Sequence, residues 1–426
     1  MSDHDGGTLM REAGASADPV PSAGAGDRPT VRDTAIALTV FLLARALSAV
    51  FLLLAAPAQV ALTDSPDHHV EGSLPASPGY WDVVTNWDGQ WYETIATHGY
   101  RTDPALFGPP AQRNEMAFFP VYPMLCRGVM AVTGASFGVA ASLVSLVAGA
   151  LAVVLLARWL VRTRGRLVAH LAVAGLAVFP TAVVFQTAYT ESLALLLLVV
   201  VLTALAGRRW AVLWGALLVL GLTRPVLAPV ALYLLVLAWR AHRAPAGDER
   251  RADVRPLLVS VGVAGLATAA WPVTVAVLTG IPTAFTDTMA AWVKAGGLRG
   301  GWVAGIWQLV GPAAALALVL VGGALAWVRS RRPRPDRPAD GLGTWGPLYL
   351  GYVLLTTTIN PSILRYSLLT LVPAEPTRRA VTAPLARFGT RGVVAAATVV
   401  LLVEVLLQWW WVRALWVIPG APVLPP

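Results

Sequence analysis

The chain has 426 residues, of which 56% are hydrophobic and 13% charged, with a formal net charge of +9. A soluble chain of this size would carry about a quarter charged residues, so the composition excludes an ordinary globular enzyme. The basic residues sit in short clusters between apolar runs, the pattern of inward-facing membrane loops rather than of nucleic-acid binding, and a single cysteine, Cys126, excludes an intrachain disulfide and reads as a small apolar filler.

Residues 1–33 are rich in Gly, Ala, Asp and Pro and read as a disordered cytoplasmic tail. A membrane helix needs about 20 mostly apolar residues to cover ~30 Å of hydrocarbon. The first such run, 34–57, reads as a signal anchor. A signal peptide cleaved near APAQVA is the competing reading, but the leader is long and the run exceeds a signal's apolar core. Further apolar runs complete eleven predicted spans: 136–160, 167–185, 189–206, 210–223, 225–239, 256–279, 303–328, 343–359, 362–375 and 392–412. Breaks are expected at Pro225 and in PAEP, because proline removes a helix hydrogen bond.

Arginine placement sets the sidedness. RTRGR (162–166), Arg208–Arg209, residues 240–255, RSRRPRPDRPAD (329–340) and Arg378–Arg379 all fall inside when the N-terminus is cytoplasmic. The membrane domain is then 34–412, the first outer loop 58–135, a second outer loop 280–302, and 413–426 an outer tail. With 31 arginines to one lysine and abundant alanine, the composition suggests a GC-rich bacterial genome, and hence the bacterial plasma membrane.

The first outer loop holds most of the residue types suited to chemistry. DSPDHHVE (64–71) matches no metal-ligand spacing and reads as solvated loop. In TNWDGQWYETIATHGY (85–100), Asp88, Trp91, Tyr92 and Ile95 recur at helical spacing and Gly99 supplies a stop, which predicts a short amphipathic helix along the membrane surface with its aromatic residues at headgroup depth. Asp88 has two readings: a capping-box acid three residues after Thr85, or a functional carboxylate. Asp82 reads as loop. Glu115 precedes a proline-punctuated apolar stretch, Met116–Leu125, that reads as a re-entry into the bilayer, where a carboxylate is costly unless partnered.

Ionisable groups inside spans are rare and often functional. Tyr189, Thr190 and Glu191 fall at an outer end, as do Arg224 in LTRP and Arg365–Tyr366 in NPSILRYSLL. The two arginines either snorkel to headgroups or hold a phosphate, which suits arginine's planar fork. Most of the 17 tryptophans, Trp409–Trp411 among them, read as an interfacial belt, with Trp87 or Trp91 available to stack on a sugar.

Together WDGQWYETIATHGY (87–100), EMAFFPVYP (115–123), FPTAVVFQTAYTESL (179–193), LTRP (222–225) and an Arg-Tyr-then-Pro stretch (365–373) resemble the PIG-V family of membrane mannosyltransferases and its bacterial relatives, which are similar to the wider GT-C glycosyltransferases. The resemblance implies an all-α, multi-span helical bundle. It implies transfer of a sugar, mannose in the family, from a polyprenyl-phosphate donor to a lipid or glycan acceptor at the outer face. Asp88 matches the family's Trp-Asp position and becomes the expected base, with Glu115 a second catalytic candidate. Trp87, Trp91, Tyr92, His98, Tyr189, Glu191, Arg224, Arg365 and Tyr366 form the candidate substrate-binding set. Pro225 departs from the small polar residue that follows this arginine in eukaryotic members. The mechanism expected is a single inverting displacement with no metal and no cofactor beyond the donor. A transporter or flippase for a lipid-linked sugar is the alternative, and a non-catalytic scaffold a third reading.

Overall fold

A computed structural model describes residues 27–63, 70–245, 247–292, 345–357, 361–370 and 375–417 of the protein. The fold is mostly helical. α1 (Val31–Ala55) opens on a capping box in which the Thr30 hydroxyl accepts from the Asp33 amide and the Asp33 carboxylate accepts from the Thr30 amide at 2.7 Å. The other Asp33 oxygen lies 3.3 Å from both Arg166 and His170 of α6 (Arg166–Val178), which fastens those helices at one end. Between them runs α5 (Phe137–Arg164), with a packing face of small residues, Ala140, Ala141, Ser145, Ala148, Gly149 and Ala152. Small residues let helix backbones approach where lipid offers no hydrophobic drive. A Cβ at Gly149 would stand 2.7 Å from the Phe41 ring of α1.

Among the described residues, four helical stretches are long and apolar enough to cross a bilayer: Val31–Ala58, Phe137–Arg164, Glu249–Thr279 and Gly389–Trp416. Leu42, Leu43, Leu143, Val147, Leu266, Val277, Leu402 and Leu406 stand exposed on them, as lipid-facing side chains do. The protein is therefore a membrane protein. Shorter apolar helices pack between these: α7 (Glu191–Ala206), α8 (Trp210–Gly221) and α9 (Leu227–His242), followed by the long α10 (Val254–Thr279). α11 (Ala284–Ala291), α12 (Trp345–Thr356), the short α13 (Ser362–Ser367) and α14 (Glu375–Trp411, broken at Gly389) complete the order among the described residues.

The described residues do not confirm all eleven predicted spans. Span 167–185 ends as a helix at Val178, because Pro180 cannot continue the ladder, and resumes as a short 3-10 turn, Ala182–Phe185. The buried Arg45 of α1 donates to the carbonyls of Ala177 and Ala182, and Gln408 of α14 donates to Phe179 O at 2.9 Å. Irregular backbone at membrane depth is tolerated when protein groups satisfy it in this way. Within span 362–375, the described residues up to 370 form α13 and a 3-10 turn, Leu368–Thr370. Span 303–328, the tail to residue 26, 64–69 of the DSPDHHVE run and 418–426 lie outside the described residues.

The loop after α1 is folded. β1 (Leu62–Thr63) pairs antiparallel with β2 (Ser73–Leu74), and α2 (Tyr80–Val83) leads to α3 (Asp88–His98). Gln90 of α3 exchanges hydrogen bonds with the backbone of Glu71 and donates to Ser73 O, tying the helix to the strands. The predicted re-entrant stretch is α4 (Val121–Thr133), started after Pro120 and closed by Gly134 in the left-handed region; it packs on α3 and α5. The aromatic residues of α3 are not at its surface: Trp91 stacks on Phe118, and Tyr92 meets Phe118 and Tyr122 edge-on. The periodicity was that of a helix with a buried face, which looks alike whether lipid or protein covers it.

Candidate functional site

Asp88 owes its position to a strained turn. Trp87 holds φ 63° and ψ −119°, a conformation costly for a bulky residue, and the chain enters α3 at once. The Trp87 indole donates to Trp416 O at 2.9 Å, Asn86 Nδ2 donates to the same carbonyl at 3.2 Å, and the Trp416 indole donates to Val83 O at 2.8 Å. Trp416 lies in a π-helical turn, Val412–Trp416, that ends α14 and folds back onto the loop. Gly89 follows because a Cβ there would come within 3.1 Å of the Ala188 Cβ.

Asp88 is no capping-box acid. The Thr85 hydroxyl donates to Asp82 O at 2.8 Å, and α3 begins without a side-chain cap among the described residues. The carboxylate points instead at Arg365, whose Nη1 stands 2.7 Å from Asp88 Oδ2 and 3.3 Å from Glu191 Oε1. Arg224 Nη1 reaches the same Glu191 oxygen at 2.6 Å and the Thr190 hydroxyl at 3.0 Å. Two carboxylates and two guanidiniums thus meet from α3, α7, the turn before α9 and α13. Glu191 is 1% exposed, Arg365 5%, and Asp88 32%.

Aromatic rings complete the group. Tyr366 lies under both guanidiniums, 5.0 Å from Arg224 and 5.2 Å from Arg365, and Tyr189 lies 4.7 Å from Arg365. The Tyr189 hydroxyl accepts from the Asp88 amide at 3.3 Å. Burial, and next the Asp88 charge, push the Tyr92 hydroxyl above its ordinary range, so it stays a neutral donor. Glu191 opens α7, where the helix dipole favours a carboxylate.

Of the candidates read from sequence, Asp88, Tyr189, Glu191, Arg224, Arg365 and Tyr366 come together, with Tyr92 beside them. The others do not join their ion pairs. Glu115 is fully buried but pairs with Arg101 Nε at 2.5 Å, and Arg101 also reaches Glu71 at 3.3 Å. That second network sits against α10 and α11, where Asn114 bonds Thr288 and the Trp271 indole donates to Met116 O. His98 is exposed at the far end of α3, about 15 Å along the axis from Asp88, and shares a 2.8 Å contact with Thr97. Trp87 and Trp91 are buried in packing rather than presented to a sugar. Among the described residues, no three His, Cys, Asp or Glu side chains gather as a cation site.

Sequence reasoning missed Arg101, Asn86 and Trp416. Arg45 carried a signal, as an arginine within an apolar span. Trp416 carried none: it read as part of a tryptophan belt, and 329 residues separate it from Trp87.

No family model matches the chain, and no curated protein matches it. Solved structures similar to it include two of an archaeal oligosaccharyltransferase. The archaeal oligosaccharyltransferase AglB from Archaeoglobus fulgidus, in complex with an inhibitory peptide and a dolichol-phosphate, is 14% identical with a TM-score of 0.44, over 91% of this chain and 56% of that one. The Archaeoglobus fulgidus oligosaccharyltransferase in the apo form is 13% identical with a TM-score of 0.43, over 88% and 56%. The chain spans just over half the length of these structures, and the family resemblance rests on its motifs.

Proposed function

We propose that the protein is a membrane glycosyltransferase of the GT-C type, related to the PIG-V mannosyltransferases, that moves a sugar from a polyprenyl-phosphate donor to a lipid or glycan acceptor at the outer membrane face. The observation that carries the reading is the four-residue ion cluster. It brings a partly exposed acid, Asp88, to two arginines from the far half of the chain, and it is built from the residues of four of the five family-like motifs. On this reading the acceptor hydroxyl gives its proton to Asp88 as its oxygen attacks the anomeric carbon. The bond from that carbon to the phosphate oxygen breaks, and polyprenyl phosphate leaves with the electron pair, its new charge met by Arg365 and Arg224. One displacement inverts the anomeric configuration. Neither a metal nor a further cofactor enters these steps, and the donor and acceptor are both lipid-borne or glycan partners rather than nucleic acid.

A positioned general base contributes about 10²–10⁴ in rate. Purified full-length protein, given labelled polyprenyl-phosphate mannose and lipids extracted from bacterial membranes, is expected to form a new glycosidic bond, and Asp88→Asn to lower that rate by at least about 10². Full transfer by Asp88→Asn would remove Asp88 as the base. Movement of the sugar-lipid across vesicles without a new bond would favour the flippase.

A further inference from the structure

We propose that the donor's phosphate takes the place of Asp88 on Arg365, so that Asp88 is freed to act as a base only when donor is bound. This rests on the reading of the site as one that binds a lipid phosphate.

Both arginines already hold carboxylates. Arg365 Nη1 carries Asp88 at 2.7 Å and Glu191 at 3.3 Å, and Arg224 Nη1 carries Glu191 at 2.6 Å. The cluster has two positive and two negative groups, so an arriving phosphate meets no uncompensated cation. Adding it to the cluster unchanged would crowd three anions onto one buried guanidinium, where charges are weakly screened. One carboxylate must yield.

Burial decides which. Glu191 is 1% exposed and tied to both arginines, so displacing it would strand a charge in the interior. Asp88 is 32% exposed and, among the described residues, its carboxylate is bound to Arg365 alone, so it can turn to water, or to an acceptor hydroxyl, without that cost. Arg365 Nε has no hydrogen-bond partner among the described residues. Once Asp88 leaves, Nη1 can donate to the phosphate instead, in a charge-assisted hydrogen bond. Tyr189 and Tyr366 keep the guanidinium plane in place during the exchange.

The charges balance through the reaction. The acceptor's proton neutralises Asp88 as the leaving phosphate gains one negative charge, so the cluster's net charge does not change. When Asp88 gives that proton to water, it regains its claim on Arg365 and displaces the product.

The test is binding, not turnover. Full-length protein in detergent is titrated with farnesyl phosphate and, separately, with inorganic phosphate. Competition predicts that Asp88→Asn binds farnesyl phosphate tighter than wild type by about tenfold or more. Glu191→Gln removes an equal charge from the same arginine but not the exchanging partner, so its gain is smaller. Equal gains in the two variants, or no gain in Asp88→Asn, overturn the exchange. Wild type supplies a further readout should Glu191→Gln not fold: carbodiimide-driven amine labelling of Asp88 is expected to rise several-fold with inorganic phosphate, and an unchanged or lower rate overturns the exchange. If Asp88→Asn tightens binding yet wild type transfers no sugar, the exchange stands and the transferase reading falls. If wild type transfers and Asp88→Asn binds no tighter, the exchange alone falls.

Discussion

Glu191→Gln removes the carboxylate shared by Arg224 and Arg365 while keeping its shape. Each ion pair, with charge centres roughly 4 Å apart, is worth about 4 kcal/mol at an effective dielectric near 20, before desolvation is subtracted. Both arginines stay behind. Arg365 keeps Asp88, whereas Arg224, 13% exposed, keeps, among the described residues, the Thr190 hydroxyl and the Tyr366 ring. Breaking a buried pair from one side costs about 3–5 kcal/mol, because the remaining charge is uncompensated. That is roughly two to four decades in the unfolding constant. The measurement is reversible unfolding of the full-length protein in mixed micelles, followed by tryptophan fluorescence, for Glu191→Gln, Arg224→Met and the double variant. The double variant is expected to recover more than half of the single losses, since two opposite charges leave together. Additive losses, or a Glu191→Gln cost under about 0.5 kcal/mol, would refute the view that Glu191 compensates Arg224.

Trp416→Phe keeps the ring packing on Tyr189 but removes the indole donor to Val83 O, which retains the longer 3.4 Å bond from the Asn86 amide; we expect a loss of about 0.5–1.5 kcal/mol on the same titration, with a fall in transfer rate beyond what the folded fraction explains. Arg101→Met strips the fully buried Glu115 of its ion partner at a cost of about 3–5 kcal/mol, and Glu115→Gln added to it should restore most of the loss; a double variant no better than the single would show that Glu115 does not depend on Arg101.

Elements with long periodic apolar runs were legible in the sequence. α1, α5 and α10 lie within a few residues of the predicted spans 34–57, 136–160 and 256–279. The same rule overreached where proline interrupts: composition alone cannot tell a spanning helix from α6 plus a buried irregular turn, because the carbonyls freed at Pro180 are satisfied by Arg45 and Gln408 from distant helices. Within the site, polar residues in apolar surroundings marked Glu191, Arg224 and Arg365, whose burial demands partners. Their pairing was not legible, and neither was the separation of Glu115 from Asp88. Both acids lie in one loop, and which arginine each meets is fixed by tertiary packing. The capping reading of Asp88 failed for a local reason: Trp87, at positive φ, ends the preceding turn and takes the N-cap position itself, so Thr85 lies two residues too early to cap α3.

The closure of residues 83–88 by Trp416 also orders events in time. The turn bearing Asp88 emerges early in synthesis, and its clamp 329 residues later. At ~5–20 residues per second, translation leaves roughly 15–65 s in which the Trp87 and Asn86 donors lack their shared acceptor. Through that interval the nascent protein can insert its first helices while the turn bearing Asp88 still lacks its clamp. A chain cut short before residue 412 should insert its early helices yet leave the turn bearing Asp88 unclamped.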